Sequence, residues 1–470
     1  MSQSVIIEPE IPITSWYDES SEDSIEDQII EAIIQKIDPD FRDSYFDSTL
    51  KEIPPPTALK GVNRASELLI KTIKSGKRIL ILGDYDVDGI TSTALLIRFF
   101  IKLGYTNYDR FIPNRFAHGY GLTDKSVKII LEKDPDLVIT VDNGISAKEE
   151  IQQIRDNGIE VIVTDHHMPQ SDYVPECVVV NPKQDGCSFP FKNVAGVGVV
   201  FLFLMTVRLK LREQNFWTDD IPEPNLLEHL DLVALGTIAD QVPLLGLNRM
   251  FTKYGLNQMT KKLHEGYPHP FFSYLKAYGE TTNVKSFNSE TIAFGLAPMI
   301  NATGRMKDAE EGLNFLLSED ATIASSRYQY LDRLNQKRRK KQQSMAKKAL
   351  QKAKKMVKEQ KAVVVYDASF HEGLSGVIAS RLTDQFHFPS IVVTDGDEGI
   401  LKASCRPQSE NIIDILKECE EYLIQYGGHA NAAGCALYKE NLEAFDKRFT
   451  EVCRELIPVD EDYVIKASIE

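Results

Sequence analysis

The chain has 470 residues, of which 43% are hydrophobic and 26% are charged, and its formal net charge at pH 7 is −15. This composition is ordinary for globular proteins, and the length suits two or three domains better than one core. The negative net charge argues against general attraction to nucleic acid but allows a local basic surface. No apolar run is long enough to predict a membrane span. The N-terminus lacks the features of a signal peptide, and six scattered cysteines indicate a reduced, cytoplasmic protein.

The first 53 residues form an acidic leader. Between Glu8 and Glu31 there are nine acidic residues and no Lys or Arg. Such a segment is typically solvated, although an apolar stripe of isoleucines predicts one helix near Ser24–Ile37. The proline run Pro54–Pro56 marks a rigid break before the first domain.

Residues 54–255 are predicted to form the first domain. Apolar runs alternate there with amphipathic stretches, a pattern that indicates βαβ units around a parallel sheet. We predict strands near residues 79–83, 110–112, 137–141, 160–164 and 178–180. Helices are predicted at Ile90–Leu103 and Ala147–Asn157, and a helical stretch from Leu226 to Ala239 would bring Asp240 to the end of a helix.

Residues 256–358 are predicted to be helical. A helix without Pro or Gly runs from Ala321 to Glu359, is strongly basic from Arg333 onward, and suits a spacer between domains. A smaller α/β domain follows at 359–458, beginning with a strand near residues 362–365, and a tail covers 459–470. The predicted fold is therefore an α/β protein in which a long helix joins a parallel-sheet domain to a smaller α/β domain.

Acidic segments follow or lie near several apolar runs of the first domain. Because the carboxyl ends of parallel strands meet at one edge of a sheet, these segments can converge there although they are distant in sequence. Clustered carboxylates repel one another and are costly to desolvate unless a cation neutralises them. The pattern predicts a site for two divalent metal ions, with these ligands: Asp86, Asp88, Asp142, His166 and Asp240.

Each segment also has a simpler interpretation. The first, with three alternating aspartates before a glycine, resembles a calcium loop, but the later glutamate of an EF-hand is missing. Asp142 could merely cap a helix, although capping does not explain several such segments at matching places. Asp165-His166-His167 is the most specific segment: His166 would be a neutral ligand, Asp165 would set its geometry, and His167 would contact substrate or donate a proton. We assign catalytic roles to Asp84, Asp165 and His167.

Oxygen and nitrogen ligands without a thiolate favour manganese or magnesium over zinc. Two such ions can activate water and stabilise the charge that develops on a phosphoryl group during hydrolysis. The set of acidic and histidine segments therefore indicates a dinuclear hydrolase.

These segments resemble the four motifs of the DHH phosphoesterases. Within that superfamily the chain is most similar to the RecJ family of single-strand-specific 5′-to-3′ DNA exonucleases, over roughly residues 60–455. Segments outside the metal site support this narrower resemblance: Phe111-Ile112-Pro113-Asn114-Arg115, Gly119-Tyr120-Gly121-Leu122, Val180-Asn181-Pro182-Lys183 and Ile300-Asn301-Ala302-Thr303-Gly304-Arg305-Met306.

The resemblance implies roles for residues outside the metal cluster. Arg305, Ser404 and Arg406 would hold a terminal 5′ phosphate with help from Arg115, because guanidinium groups bind phosphate with two parallel donors. The Gly-Gly-His segment, with Gly428 and His429, would bring backbone amides and an imidazole to the scissile region. The alternatives are a helix cap or surface ion pair for Arg305, a structural turn for the glycines, and an exposed linker for the basic helix.

The resemblance also implies an activity. The chain would degrade single-stranded DNA from 5′ to 3′ into 5′ mononucleotides during DNA repair and recombination, with two Mn²⁺ or Mg²⁺ ions. A single-strand-binding protein or a helicase is the expected protein partner, and no membrane is involved. The alternatives are a DHH phosphodiesterase for short oligoribonucleotides or small nucleotides, and an inactive relative that serves as a replication scaffold. The inactive relative is disfavoured because every expected metal ligand is present.

One feature departs from the family pattern. RecJ exonucleases usually continue into an OB-fold that grips single-stranded DNA, whereas fewer than forty residues follow Cys435. Either the chain is a compact variant, or a partner supplies that grip. Aromatic residues that could stack on bases are Tyr120, Phe370 and Phe386.

Overall fold

The computed structural model describes residues 8–9, 30, 33, 49–119, 121–169, 174–265, 272–356, 361–396, 399–456 and 466–467. The chain divides into two compact units. We call residues 19–335 the first unit, and residues 1–18 with 336–470 the second unit. Tyr120 and most of the predicted leader helix lie outside the described residues.

A five-stranded sheet forms the centre of the first unit. All of its strands are parallel, in the order β2-β1-β3-β4-β5. The strands are β1 Ile79–Gly83, β2 Tyr108–Phe111, β3 Leu137–Val141, β4 Glu160–Thr164 and β5 Val178–Val180. The predicted parallel sheet is confirmed. Only the second strand lies earlier than the predicted 110–112, because its pairing with β1 begins at Tyr108 and Pro113 lacks the N–H needed to extend the ladder.

Helices cover both faces of this sheet. Alternate residues of each strand point to opposite faces, so Ile79 and Ile81 pack with α1, α2 and α5, while Leu80 and Leu82 pack with α3 and α4. Burial on both faces explains why these strands are continuous apolar runs. The helices are α1 Val62–Lys74, α2 Val87–Lys102, α3 Asp124–Lys133, α4 Lys148–Asp156, α5 Gly196–Glu213, α6 Leu230–Ala239, α7 Gly246–Glu265, α8 Ser273–Thr282, α9 Ala297–Met306 and α10 Glu310–Leu316.

Short helical turns complete the first unit. A 3₁₀ turn at Leu226–His229 leads into α6, and a π-helical turn at Thr291–Leu296 leads into α9. Two further 3₁₀ turns, Leu50–Glu52 and Pro56–Ala58, precede α1.

A buried ion pair joins α2 to α6. The Nη1 atom of Arg98 lies 3.2 Å from Oδ2 of Asp231, and both side chains are fully buried. The hydroxyl of Tyr274 donates to the same Asp231 oxygen at 2.7 Å, and Nη2 of Arg98 donates to the Leu316 carbonyl at 2.9 Å. Burial works to raise the pKa of Asp231, but Arg98 and nearby cations outweigh it and lower that pKa.

The helix α11 covers Ala321–Met356, and its predicted end at Glu359 lies outside the described residues. The second unit contains a five-stranded mixed sheet in the order β9-β10-β8-β7-β6, in which β6 and β7 are parallel and the other neighbours are antiparallel. The strands are β6 Val363–Tyr366, β7 Ser390–Asp395, β8 Ile400–Arg406, β9 Gln425–His429 and β10 Ala432–Tyr438. The first of them starts one residue after the predicted position.

Three helices accompany this sheet: α12 Glu372–Phe386, α13 Ile412–Lys417 and α14 Leu442–Leu456. Two 3₁₀ turns lie at Glu420–Tyr422 and Lys439–Asn441, and the two-residue strands Glu8–Pro9 and Lys466–Ala467 pair in parallel. All six cysteines are free thiols. Among the described helices, none combines the length and the hydropathy required to cross a membrane.

Candidate metal centre

Three neighbouring strands of the first unit end at acidic residues. β1 is followed by Asp84, β3 by Asp142 and β4 by Asp165. The strands are parallel neighbours, so these residues lie at one edge of the sheet. Asp240 is the C-cap of α6 and joins them. The convergence predicted from the sequence is therefore present.

His166 lies at the centre of the cluster. Its Nε2 atom is 3.2 Å from Asp142 Oδ1, 3.6 Å from Asp240 Oδ2 and 3.8 Å from Asp88 Oδ2. Nε2 of His166, Oδ1 of Asp84 and Oδ1 of Asp142 are buried and make no hydrogen bond. Buried polar atoms without partners are rare, and here Nε2 of His166 and Oδ1 of Asp142 lie close together. The arrangement fits bound cations.

The ligand atoms fall into groups of the size that a cation needs. Within each group they lie within 4.8 Å of one another: Asp84, Asp86 and Asp142; Asp88, His166 and Asp240; and Asp142, His166 and His167. Because Asp142 belongs to two of these groups, it can be shared between two neighbouring ions. Hard oxygen ligands with one or two imidazoles suit Mn²⁺ or Mg²⁺.

The electrostatics of the cluster also call for positive charge. Burial, followed by the charge of Asp86, raises the pKa of Asp84 to about 8 and that of Asp240 to about 7. Burial and neighbouring carboxylates likewise raise the pKa values of Asp88 and Asp142 far above their usual range. Ionised carboxylates are unfavourable in this site by themselves, and a divalent cation reverses that preference.

The first aspartate segment forms the start of α2. Oδ1 of Asp86 accepts a hydrogen bond from the Gly89 amide at 3.1 Å and caps the helix, which begins at Val87. The predicted start at Ile90 is therefore wrong, because Asp86 already supplies the cap. Gly89 lies in the first turn of this helix. It is required because a Cβ there would lie 2.6 Å from the backbone nitrogen of Asp84.

Asp88 is held by the N-terminus of α5. The Gly196 amide donates to Asp88 Oδ2 at 2.6 Å, and the Val197 amide donates to Asp88 Oδ1 at 2.9 Å. Gly196 also leaves room for Asp142, since a Cβ at this position would lie 2.7 Å from Asp142 Oδ1. Gly196 was not predicted from the sequence, in which the repeated small residues of the Ala195–Gly198 stretch are the signal for it.

The hydrogen bonds of Asp165 explain the arrangement of the two histidines. Its Oδ1 accepts from the amides of His166 (2.7 Å) and His167 (3.0 Å) and lies 2.8 Å from His167 Nδ1, while its Oδ2 accepts from the Ile145 amide at 2.9 Å. These hydrogen bonds occupy Asp165, which therefore orients the two histidines. The side chain of His167 is 45% exposed.

The two histidines differ in charge. Burial and the neighbouring His167 lower the pKa of His166 to about 3, so that its imidazole is neutral, as a metal ligand requires. Burial also works to lower the pKa of His167, but the hydrogen bond and charge of Asp165 outweigh it and raise that pKa to about 9. Burial works to raise the pKa of Asp165, but His167 and His166 lower it to about 2.

Two predicted phosphate-binding arginines lie beside the first aspartate segment. The guanidinium of Arg115 stacks over the ring of Tyr85, with 5.1 Å between its Cζ atom and the ring centroid. Arg305, in the last turn of α9, interacts electrostatically with the Tyr85 hydroxyl, and its neighbour Gly304 packs on the Tyr85 backbone. Tyr85 thus connects both arginines to the metal cluster, a role that the sequence did not suggest.

The other predicted substrate-binding residues lie in the second unit. Ser404 and Arg406 are alternate residues of β8, and Ser404 Oγ lies 2.7 Å from Ser375 Oγ in the first turn of α12. Gly428 and His429 belong to β9, where Gly428 has a φ of 140° and a Cβ would lie 2.3 Å from the Ala432 carbonyl oxygen. Only glycine fits that position.

Comparison with known proteins agrees with this architecture. Residues 78–237 match the model of the DHH family, N-terminal domain, and residues 359–455 match the DHHA1 domain. The chain is 35% identical to the single-stranded-DNA-specific exonuclease RecJ of Haemophilus influenzae, over 89% of this chain and 73% of that protein. It is 37% identical to RecJ of Escherichia coli, over 87% of this chain and 71% of that protein.

Solved structures give the same result. A crystal structure of exonuclease RecJ bound to manganese has a TM-score of 0.73 at 35% identity, covering 85% of this chain and 96% of that one. RecJ of Thermus thermophilus in complex with Mn²⁺ has a TM-score of 0.75 at 33% identity, covering 91% of this chain and 59% of that one. With these matches, the chain belongs to the DHH family and, within it, to the RecJ family.

Proposed function

We propose that this chain is a metal-dependent exonuclease that degrades single-stranded DNA from 5′ to 3′ into 5′ mononucleotides, with Mn²⁺ or Mg²⁺ as cofactor. One observation carries the proposal: seven Asp and His side chains converge at the strand edge of a chain whose RecJ relatives are 35% and 37% identical over most of its length. The proposed ligands are the five predicted from the sequence: Asp86, Asp88, Asp142, His166 and Asp240. Asp84, for which the sequence predicted a catalytic role, is added to them because it groups with Asp86 and Asp142.

When bound, two divalent ions activate water, polarise the phosphodiester and balance the charge of the transition state. The protein's own contribution is positioning. Asp165 orients both histidines, which leaves the His166 ring for ligation and turns the partly exposed His167 ring toward substrate. In this position His167 would donate a hydrogen bond to a phosphate oxygen or to the leaving oxygen.

Terminal phosphate recognition is the second part of the proposal. Arg115 and Arg305, beside the metal cluster of the first unit, would each bind phosphate. In the second unit, Ser404 and Arg406 on β8 are proposed for the same chemistry. A planar guanidinium offers two parallel donors to a phosphate, and hydroxyl groups add single hydrogen bonds. Gly428 and His429, on β9 of the second unit, would contact the DNA backbone. These residues would favour a 5′-phosphorylated end.

The two other functions considered from the sequence are less well supported. A phosphodiesterase for short oligoribonucleotides shares the catalytic cluster, but the relatives that match 89% and 87% of this chain at 35% and 37% identity are single-stranded-DNA-specific exonucleases. An inactive scaffold would have lost ligands, whereas each ligand expected from the sequence is present in the cluster.

The decisive experiment compares substrates. The purified protein is incubated with Mn²⁺ and end-labelled single-stranded DNA, duplex DNA or a dinucleotide. We expect mononucleotides released from the 5′ end of single-stranded DNA and little cleavage of duplex DNA. Faster cleavage of the dinucleotide than of the long strand would contradict the proposal and support the small-substrate phosphodiesterase.

The physiological setting follows from the substrate. Single-stranded ends arise when a helicase unwinds duplex DNA, and single-strand-binding proteins cover them. We therefore propose that proteins of these kinds supply the substrate, in the cytoplasm, during DNA repair and recombination. Co-sedimentation with a single-strand-binding protein on DNA would test the association, and its absence would contradict it.

A further inference from the structure

The turn after β5 approaches the metal centre. β5 ends at Val180, and the following Asn181 is fully buried. The side-chain amide of Asn181 donates to the His167 carbonyl oxygen at 2.9 Å, and its carbonyl oxygen accepts the Lys183 amide at 2.7 Å. One buried side chain thus joins the backbone of His167 to the backbone of Lys183. The position of Lys183 beside the metal centre is fixed by this link.

The ammonium group of Lys183 has no settled partner. The side chain is half-buried, and its charge interacts with Asp240, Asp165 and His166. Nevertheless, within the described part of the chain, its Nζ atom makes neither a hydrogen bond nor an ion pair. A partly buried ammonium without a partner is unusual because its desolvation is costly. An additional anion that binds the Lys183 ammonium group would offset this desolvation cost.

Neighbouring lysines differ in this respect. Lys60 donates to the Asp185 carbonyl at 2.6 Å, and Lys192 donates to the Cys187 carbonyl at 2.7 Å. Both side chains are exposed, so water satisfies their remaining donors. Lys183 is the lysine of this segment whose backbone is tied through Asn181 to His167 of the cluster, and Lys192 provides a matched control for it.

We propose that Lys183 is a further substrate-binding residue of this site and that its ammonium group binds a non-bridging oxygen of the scissile phosphate. The inference rests on the proposed function. The Asp residues of the cluster are occupied once cations are bound, so they no longer attract the ammonium group. A phosphodiester at the cations then provides the anion for Lys183. The flexible ammonium group can follow the phosphate as charge builds up on its oxygens.

The test compares Lys183→Met with wild type and with Lys192→Met, on 5′-phosphorylated single-stranded DNA at saturating Mn²⁺. We expect kcat/KM of Lys183→Met to fall by about 10- to 100-fold, mainly through kcat, because the variant lacks one charged hydrogen bond to the phosphate. Lys183→Arg should recover part of the loss. The slope of log kcat/KM against log salt should become shallower by about 0.7, the value for one phosphate contact on a single strand. Lys192→Met should match wild type in all of these measurements.

Two results would overturn the inference. The first is an unchanged kcat/KM in Lys183→Met. The second is an altered affinity for Mn²⁺ with normal turnover at saturation, which would make Lys183 only a counter-ion of the carboxylates. If the wild type itself fails to cleave DNA, the proposed function falls first. Calorimetry of dTMP binding with Mn²⁺ then tests Lys183 separately: about tenfold weaker binding by the variant supports it, and equal binding refutes it.

Discussion

The two units use their sheets in opposite ways. In the first unit all strands are parallel, so their carboxyl ends gather acidic side chains at one edge, where Asp88 and Asp142 are almost completely buried. In the second unit β8 lies between antiparallel neighbours and alternates along its length. Its residues Leu401, Ala403 and Cys405 are buried, whereas the polar residues between them are partly exposed.

This difference shows how each kind of site is maintained. A buried carboxylate cluster needs cations and is assembled from distant segments, so it depends on the whole α/β framework. A row of polar residues on one strand needs only the alternation of that strand, here with α12 alongside: Lys402 pairs with Glu372 at 2.9 Å, and Ser404 contacts Ser375. We therefore expect chemistry to depend on the first unit, whereas recognition of the DNA end should also depend on the polar residues of β8 in the second.

The largest effect is expected from Asp142→Asn. Loss of a carboxylate that two cations can share should lower Mn²⁺-dependent cleavage by more than about 100-fold, since even outer residues of a metal site cost about 10- to 100-fold. Asn tolerates the left-handed φ of 61° at this position, so the fold should be retained. Cleavage rates and circular dichroism are measured together. Asp134→Asn, at an exposed left-handed Asp, is the control, and normal cleavage by Asp142→Asn would contradict the shared-ligand model.

A smaller effect, on stability, is expected from Asp231→Ala. Removing one partner of a fully buried ion pair leaves Arg98 uncompensated and should cost about 3–5 kcal/mol in the free energy of unfolding measured with urea. The double variant Arg98→Met with Asp231→Leu should lose less. Equal losses in the two variants would show that the charge of Arg98 is not the cause.

The same pair predicts a pH dependence. Because the folded pKa of Asp231 is lowered, its stabilisation is present above its unfolded pKa of about 3.9 and is lost as the pH falls through the folded value. The stability difference between wild type and Asp231→Ala should therefore be constant above about pH 5 and narrow below about pH 4. A difference that widens in acid would contradict this assignment.

The smallest effect is expected from Arg406→Ala in the second unit. Cleavage of 5′-phosphorylated strands should fall by about 10- to 100-fold through the lost charged hydrogen bonds, while strands with a 5′ hydroxyl should be nearly unaffected. Arg448→Ala, which removes an exposed pair with Glu418, is the control. Equal losses of cleavage on both kinds of end would contradict the proposed role of Arg406 in binding the 5′ phosphate.

Much of the framework could be predicted from the sequence. Strands β1, β3, β4 and β5 were placed correctly because each is a continuous apolar run rich in Val and Ile, as burial on both faces requires. The grouping of their terminal Asp and His residues followed from sheet geometry alone.

Other features could not be predicted because they depend on distant partners. The start of α2 was misplaced because Asp86 and Asp88 resemble turn residues, whereas Asp88 is held by amides of α5 more than a hundred residues away. Arg98 and Asp231 would each be expected at the surface, and only the packing of α2 against α6 shows that they neutralise one another.

Gly196 shows how sensitive a catalytic centre can be to a residue without functional groups. Its N–H fixes Asp88, and its missing side chain leaves space for Asp142, so any larger residue there would displace two acidic groups at once. Inactivating substitutions in this enzyme should therefore include position 196, where a search for reactive side chains would not look.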